Sequence, residues 1–281
     1  MRSPVRHRIS GSSPRPGRRV EVAEKNSQDY TGALTRVAGQ TPVPRTWRSV
    51  FKIHRDRKRA PPQTMSALKS QDQSSFLWRK LHSLSGIVPV GVFLAEHFWS
   101  NSYVLVSAAK YDEVGQVLQT LPFRPIIEAV GIWIPILFHA VYGFYVWYTG
   151  KSNVLDYPWM HNWMYTLQRW SGLVAFAFIG WHFYTARILT EGRSNFNTVH
   201  ADMSNNLYVA FYLVGVLAAS FHLGNGIWNF LCKWGLAATV RAQRAAGFLG
   251  AAVALAFSLA GILIVFSARF DFHPFQVYVQ K

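Results

Sequence analysis

Beyond residue 80 the chain alternates long apolar stretches with short polar breaks. The stretches fall at roughly residues 83–105, 126–149, 166–188, 207–231 and 246–267. Each supplies the about 20 mostly apolar residues that one bilayer crossing requires at 1.5 Å of rise per residue. Turn-forming and charged clusters separate them, among them Leu121-Pro122-Phe123-Arg124, Gly150-Lys151-Ser152-Asn153 and Glu191-Gly192-Arg193. Trp99, Tyr148, Trp159, Trp163 and Tyr208 stand near the ends, where an interfacial aromatic belt belongs. The pattern predicts an all-α integral membrane protein with five transmembrane helices in a domain spanning residues 75–270. Residues 1–74 read as a leader and residues 271–281 as a short tail.

Composition agrees: half of the 281 residues are hydrophobic and only 15% are charged, an unusual balance for a soluble domain of this length. A net charge of +16 would suggest a nucleic-acid partner, but its distribution argues against one. Residues 1–64 hold 15 Lys and Arg against 4 Asp and Glu, whereas the rest of the chain holds 14 against 9. The excess therefore lies mainly outside the membrane domain. The leader is rich in Arg, Ser and Pro and has no signal-peptide core, so it is expected to be disordered. Two readings of it compete: a basic arm that touches anionic lipid or a partner, or a translation start that truly lies at Met65. Lys and Arg flanking the helices modestly favour a cytoplasmic N-terminus.

Four of the apolar stretches carry one embedded histidine each: His97, His139, His182 and His222. Ionisable side chains inside a bilayer are rare and usually functional. Each lies about fourteen to seventeen residues into its stretch, roughly two-thirds of the way across at 1.5 Å per residue. Because successive helices run in opposite directions, His97 and His182 should share an outer level and His139 and His222 an inner one. The two levels should lie roughly 10 Å apart, given the rise per residue and a core about 30 Å thick. Local sequence follows the same pairing. Both inner histidines occur as Phe-His-x-x-x-Gly, ending at Gly143 and Gly226, and a glycine one turn away on the same face would give a flat macrocycle room. Both outer ones occur as His-Phe followed by an aromatic. The spacing from His97 to His139 is 42 residues and from His182 to His222 is 40, which suggests two weakly similar halves.

A single intramembrane histidine is as well explained by an interhelical hydrogen bond as by a metal. Four at two matched depths are harder to explain that way. Zinc sites built from neutral histidines alone are unusual, and these pairs are separated in depth. Two haem irons, each with two axial histidines, fit better. Cys232 is the sole cysteine, so covalent Cys-x-x-Cys-His attachment is excluded and the haems would be of the b type.

Several segments carry a family resemblance: Arg79-Lys80-Leu81-His82-Ser83-Leu84-Ser85-Gly86, Leu121-Pro122-Phe123-Arg124, Phe138-His139-Ala140-Val141-Tyr142-Gly143, Asn162-Trp163-Met164-Tyr165-Thr166-Leu167-Gln168-Arg169, Trp181-His182 and Phe221-His222-Leu223-Gly224-Asn225-Gly226. Over about residues 74–268 the chain resembles the cytochrome b558 family of bacterial succinate dehydrogenases, the five-helix, di-haem anchor type similar also to the anchors of fumarate reductases. The resemblance implies a bundle of helices one to four around two stacked b haems in the bacterial cytoplasmic membrane. It further implies a flavoprotein that oxidises succinate, an iron–sulfur subunit, and an anchor that passes electrons to a menaquinone-type quinone without succinate chemistry of its own. The implied metal ligands are His139 and His222 for the proximal, cytoplasmic-side haem, and His97 and His182 for the distal one.

Haem propionates need cationic or hydrogen-bonding partners at the membrane edge. The family pattern puts His82 and Ser83 near the proximal propionates, and Arg169 and Lys233 stand at suitable helix ends. Arg79, Lys80 and Lys233 serve equally well as positive-inside flanks, and His82 as an interfacial residue or a subunit contact. Glu96 precedes His97 and points about 100° away from it, so it is a candidate proton partner for a distal quinone, against the plainer reading of an interhelical hydrogen bond. His7, His54, His161, His200 and His273 are assigned no chemistry, and neither is the fifth helix. Two other classes remain open on the residues: a di-haem anchor of a hydrogenase or formate dehydrogenase, and a haem-free transporter whose histidines relay protons.

Overall fold

The computed structural model describes residues 65–276, and the described residues are helical with no β-strand. Five helices are long and apolar enough to cross a bilayer: Ser75–Leu105, Arg124–Thr149, Met160–Leu189, Asn206–Lys233 and Val240–Phe270, here spans one to five. The shortest, of 26 residues, is about 39 Å long and exceeds the roughly 30 Å of bilayer hydrocarbon. The helix leading into span one begins at Met65, inside the stretch read as leader. Residues 1–64 and 277–281, most of the leader and half of the tail, lie outside the described residues.

Local chemistry sets the helix ends. The Asn205 side chain accepts from Leu207 N at the start of span four, and Thr239 accepts from Ala242 N at the start of span five. Span two ends at Gly150 in extended conformation, and span five at Asp271 in the left-handed region. Pro89 interrupts span one. It has no N–H to give the Ser85 carbonyl, and the helix resumes with Val92 N bonded to Val88 O. One π-helical turn lies in each of spans two and three, at Ala129–Trp133 and Tyr184–Leu189.

The radial distribution of side chains is that of a protein dissolved in lipid. Large apolar residues such as Val92, Leu137, Val141, Val214, Leu255 and Leu259 are exposed, while Gly91, Ala175, Gly215, Ala219, Ser220, Gly224 and Gly250 are buried. Small residues let helix backbones approach where no hydrophobic effect drives them together. Span four packs against spans three and five on this basis. At its crossing with span five a Cβ on Gly224 or on Gly250 would collide with the other's carbonyl oxygen.

One end of the bundle is closed by two short helices, Ala108–Gln119 and Phe196–Met203, together with residues 271–276. Asp112 Oδ1 accepts from Phe196 N at 2.7 Å, which ties the two helices together. Val104, Leu105, Phe196, Met203, Val265 and Ala268 form a buried cluster beneath them. The chain then folds back: His273 Nδ1 donates to Val104 O at 2.6 Å, and Phe275 N to Leu105 O at 2.9 Å. Burial in this cap pushes the Tyr111 phenol up to about 12 and raises the Asp202 carboxyl.

Candidate functional site

Towards the end opposite the cap, His139 of span two faces His222 of span four, with ring centroids 6.1 Å apart and planes at 84°. Each ring is anchored on the preceding span. His139 Nδ1 donates to His82 O and His222 Nδ1 donates to Gln168 O, both at 3.0 Å. A carbonyl can only accept, so each proton sits on Nδ1 and Nε2 keeps a free lone pair. The surroundings repeat as well. Ser85 Oγ and Ser171 Oγ each lie 3.4 Å from the respective Nδ1, and each donates to the same carbonyl that the imidazole uses. Gly86 and Gly172 make the room: a Cβ on Gly172 would come within 2.7 Å of His222 Cε1, and one on Gly86 would collide with His139 Cε1. Leu81-x-x-x-Ser85-Gly86 in span one thus recurs as Leu167-x-x-x-Ser171-Gly172 in span three.

Behind His222 a polar network holds spans three and four together. Gln168 Nε2 donates to His222 O at 3.1 Å, and Asn225 Nδ2 donates to Gln168 Oε1 at 2.7 Å and to Met164 O at 3.1 Å. Behind His139 the corresponding place is taken by His82, stacked on it at 4.2 Å with planes 9° apart.

Towards the capped end, His97 of span one faces His182 of span three, with centroids 5.6 Å apart and planes at 71°. Phe178 stacks on His182 at 5.7 Å, and Gly215 leaves the space that Phe178 fills. The Tyr212 hydroxyl lies 3.0 Å from His182 Nδ1. His97 packs on Phe93 at 5.5 Å, and Asn101 Nδ2 donates to its carbonyl at 2.7 Å.

These donor sets come in twos. Among the described residues no group of three or more His, Cys, Asp or Glu side chains could hold a metal ion. Two imidazoles suit a metal that brings its remaining ligands with it, as iron in a porphyrin does. A metal bonded to two imidazole nitrogens at about 2 Å each, the length known for zinc, puts the ring centres roughly 6 Å apart, close to both observed separations. The anchored Nδ1–H groups of His139 and His222, with Nε2 left free, are the usual preparation of a ligating histidine. The donor chemistry at both pairs fits a b-type haem.

Residues 155–261 match the family described as the succinate dehydrogenase/fumarate reductase transmembrane subunit. Over 194 residues the chain is 36% identical to the succinate dehydrogenase cytochrome b558 subunit of Bacillus subtilis (strain 168), which covers 68% of this chain and 96% of that protein. The chain belongs to this family. No solved structure matches it. It is a transmembrane cytochrome b subunit of the succinate dehydrogenase/fumarate reductase type, a membrane protein with five apolar helices.

Within this succinate dehydrogenase/fumarate reductase subunit the remaining candidates separate. His82 lies against the His139–His222 pair, and Ser83 is its half-buried neighbour on span one. Arg169 folds over the Tyr165 ring at 3.9 Å. Lys233 ends span four, and its carbonyl accepts from Lys80 Nζ at 2.6 Å while that ammonium lies 4.5 Å above the Trp234 ring. Glu96 is half-buried, and its Oε1 is buried without a hydrogen-bond partner. Gly143 and Gly226 face the neighbours of His139 and His222 rather than their rings: a Cβ on Gly143 would approach His82 Nε2 at 3.3 Å, and one on Gly226 would approach Gln168 Nε2 at 3.5 Å. Ser85, Ser171, Gln168 and Tyr212 were not singled out by their sequence positions. The Ser-Gly repeat was the one available signal for the first two.

Proposed function

We propose that this chain is the membrane anchor and cytochrome b subunit of a succinate:quinone oxidoreductase, working with a flavoprotein and an iron–sulfur subunit in the bacterial cytoplasmic membrane. It carries electrons between the iron–sulfur subunit and a menaquinone-type quinone, with two non-covalent b haems as its redox groups. The observation that carries this reading is the facing of His139 with His222 and of His97 with His182. Bound between two such imidazoles, a b haem supplies a one-electron redox centre. The protein's part is to hold the rings face to face and to keep the Nδ1 protons of His139 and His222 on main-chain carbonyls.

The end opposite the cap collects Arg79, Lys80, Arg169 and Lys233, which supports a cytoplasmic placement for that end and a docking site there for the soluble subunits. His82, Ser83, Arg169 and Lys233 would then hold the proximal propionates. Two features support a quinone at the capped end. One is Glu96, whose buried, unpartnered Oε1 is available for a proton. The other is an open cleft of about 570 Å³ beside Phe183, the neighbour of His182, where Trp133, Phe183 and Ile188 face a lining that is otherwise mostly polar and charged, Arg124, Glu128, Arg187 and Arg193 included. Glu128 binds Arg124 at 2.6 Å and Arg187 at 3.2 Å. In this reading Trp133 and Phe183 would take the quinone ring and the cleft's cationic groups its two carbonyls.

Pyridine haemochrome analysis of the purified complex tests this reading. The expected result is two extractable haem b per chain and a b-type reduced-minus-oxidised spectrum. A flat difference spectrum would leave only a haem-free function.

A further inference from the structure

The two histidine pairs are held in different ways. At His139 and His222 both Nδ1 protons go to main-chain carbonyls, those of His82 and Gln168, at 3.0 Å. No substitution removes a main-chain carbonyl, so these two imidazoles have fixed partners. At the capped-end pair the main chain supplies no such acceptor among the described residues. His97 Nδ1 has only Asn101 Nδ2, at 3.5 Å. That nitrogen is a donor and is already engaged with His97 O at 2.7 Å, so it cannot take the imidazole proton. His182 Nδ1 has the Tyr212 hydroxyl at 3.0 Å.

The Tyr212 hydroxyl is thus the acceptor available to this pair, and it is rigidly presented. Phe178 packs edge-on against the Tyr212 ring at 5.3 Å while lying flat on His182 at 5.7 Å, and Tyr208 stacks on Tyr212 at 6.3 Å. Phe178 in turn packs directly on the backbone of span four at Gly215, where any Cβ would strike its ring. The tyrosine ring would therefore stay in place without its hydroxyl.

We infer that Tyr212 is a positioning residue for the haem of the capped-end pair: its oxygen accepts the Nδ1 proton of His182, fixes the tautomer and orientation of that ring, and sets how strongly the imidazole donates to the iron. This rests on the haem reading above. A hydrogen bond from Nδ1–H increases the basicity of the ligating nitrogen and favours the oxidised metal. The Nδ1 acceptor of this centre is therefore a single replaceable side chain, whereas the Nδ1 acceptors of the other pair are main-chain carbonyls. The first of these centres lies at the end where the quinone reading places the electron acceptor.

Redox potentiometry of the whole purified complex, followed in the haem bands and by the low-spin electron paramagnetic resonance signals, tests the assignment. The step belonging to the capped-end pair is recognised as the one missing from a His97 variant. In Tyr212→Phe both haems should remain, that step alone should move to higher potential, and one of the two resonance signals should change. Tyr208→Phe, which alters the stacked neighbour and no ring-nitrogen bond, should leave both steps in place. If Tyr212→Phe does not assemble, a ring-fluorinated tyrosine at position 212 keeps the shape while weakening the oxygen as acceptor, and should move the same step the same way by less. Unmoved steps, or equal movement of both, would overturn the role of Tyr212. Absence of haem from the wild-type complex would overturn the underlying haem reading instead.

Discussion

Gly86 and Gly172 are the residues that let two histidines lie flat against a neighbouring helix. A Cβ at either would meet the imidazole directly, at 2.7 Å from Cε1 in the case of Gly172. Gly86→Ala and Gly172→Ala should each displace the facing histidine, cost about 1–3 kcal/mol by overpacking, and remove the haem of the His139–His222 pair while sparing the other. Haem content with potentiometry of each variant checks this, and retention of both haems would show that the pocket has slack. The histidines themselves were legible in sequence because an ionisable residue stands out inside an apolar run. Their partners were not. Main-chain carbonyls of His82 and Gln168 carry no sequence signature, and Tyr212 looks like any aromatic in an apolar helix. Gly143 and Gly226 read as room for a macrocycle on the histidines' own helices; the glycines that face the imidazoles come from the helix next door.

The five spans were readable from apolar runs, since a bilayer demands length and hydrophobicity that few other settings do. What the runs could not convey was how the spans meet. Pro89 and the two π turns at Ala129–Trp133 and Tyr184–Leu189 are irregularities inside otherwise uniform hydrophobic sequence. The short helices Ala108–Gln119 and Phe196–Met203 lie in loops where polar sequence hides amphipathic pattern. The crossing of spans four and five depends on contact between Gly224 and Gly250. Gly250→Leu should therefore separate the two helices and lower the thermal stability of the detergent-solubilised complex. Gly180→Ala in span three, where a Cβ meets nothing within 4 Å, should leave it unchanged. Equal melting temperatures for Gly250→Leu and the wild type would mean that the crossing contributes nothing to assembly.

At the largest scale, the described residues form a bundle with two unlike ends. One is cationic, with Lys80 and Lys233 joined beside Trp234. The other is closed by short helices and a chain that folds back onto span one through His273 and Phe275. Between them stand two imidazole pairs, one built on a repeated Ser-Gly motif and backbone carbonyls, the other on Tyr212. Counting residues into antiparallel helices was enough to predict which histidines meet, because depth in a bilayer is nearly a function of sequence position. The central claim is that each pair holds one haem. It is tested most directly by comparing the haem spectra and potentiometric steps of the four single variants His97→Ala, His139→Ala, His182→Ala and His222→Ala. The His139 and His222 variants should lose the same haem, and the His97 and His182 variants the other. Loss in crossed pairs would contradict the account.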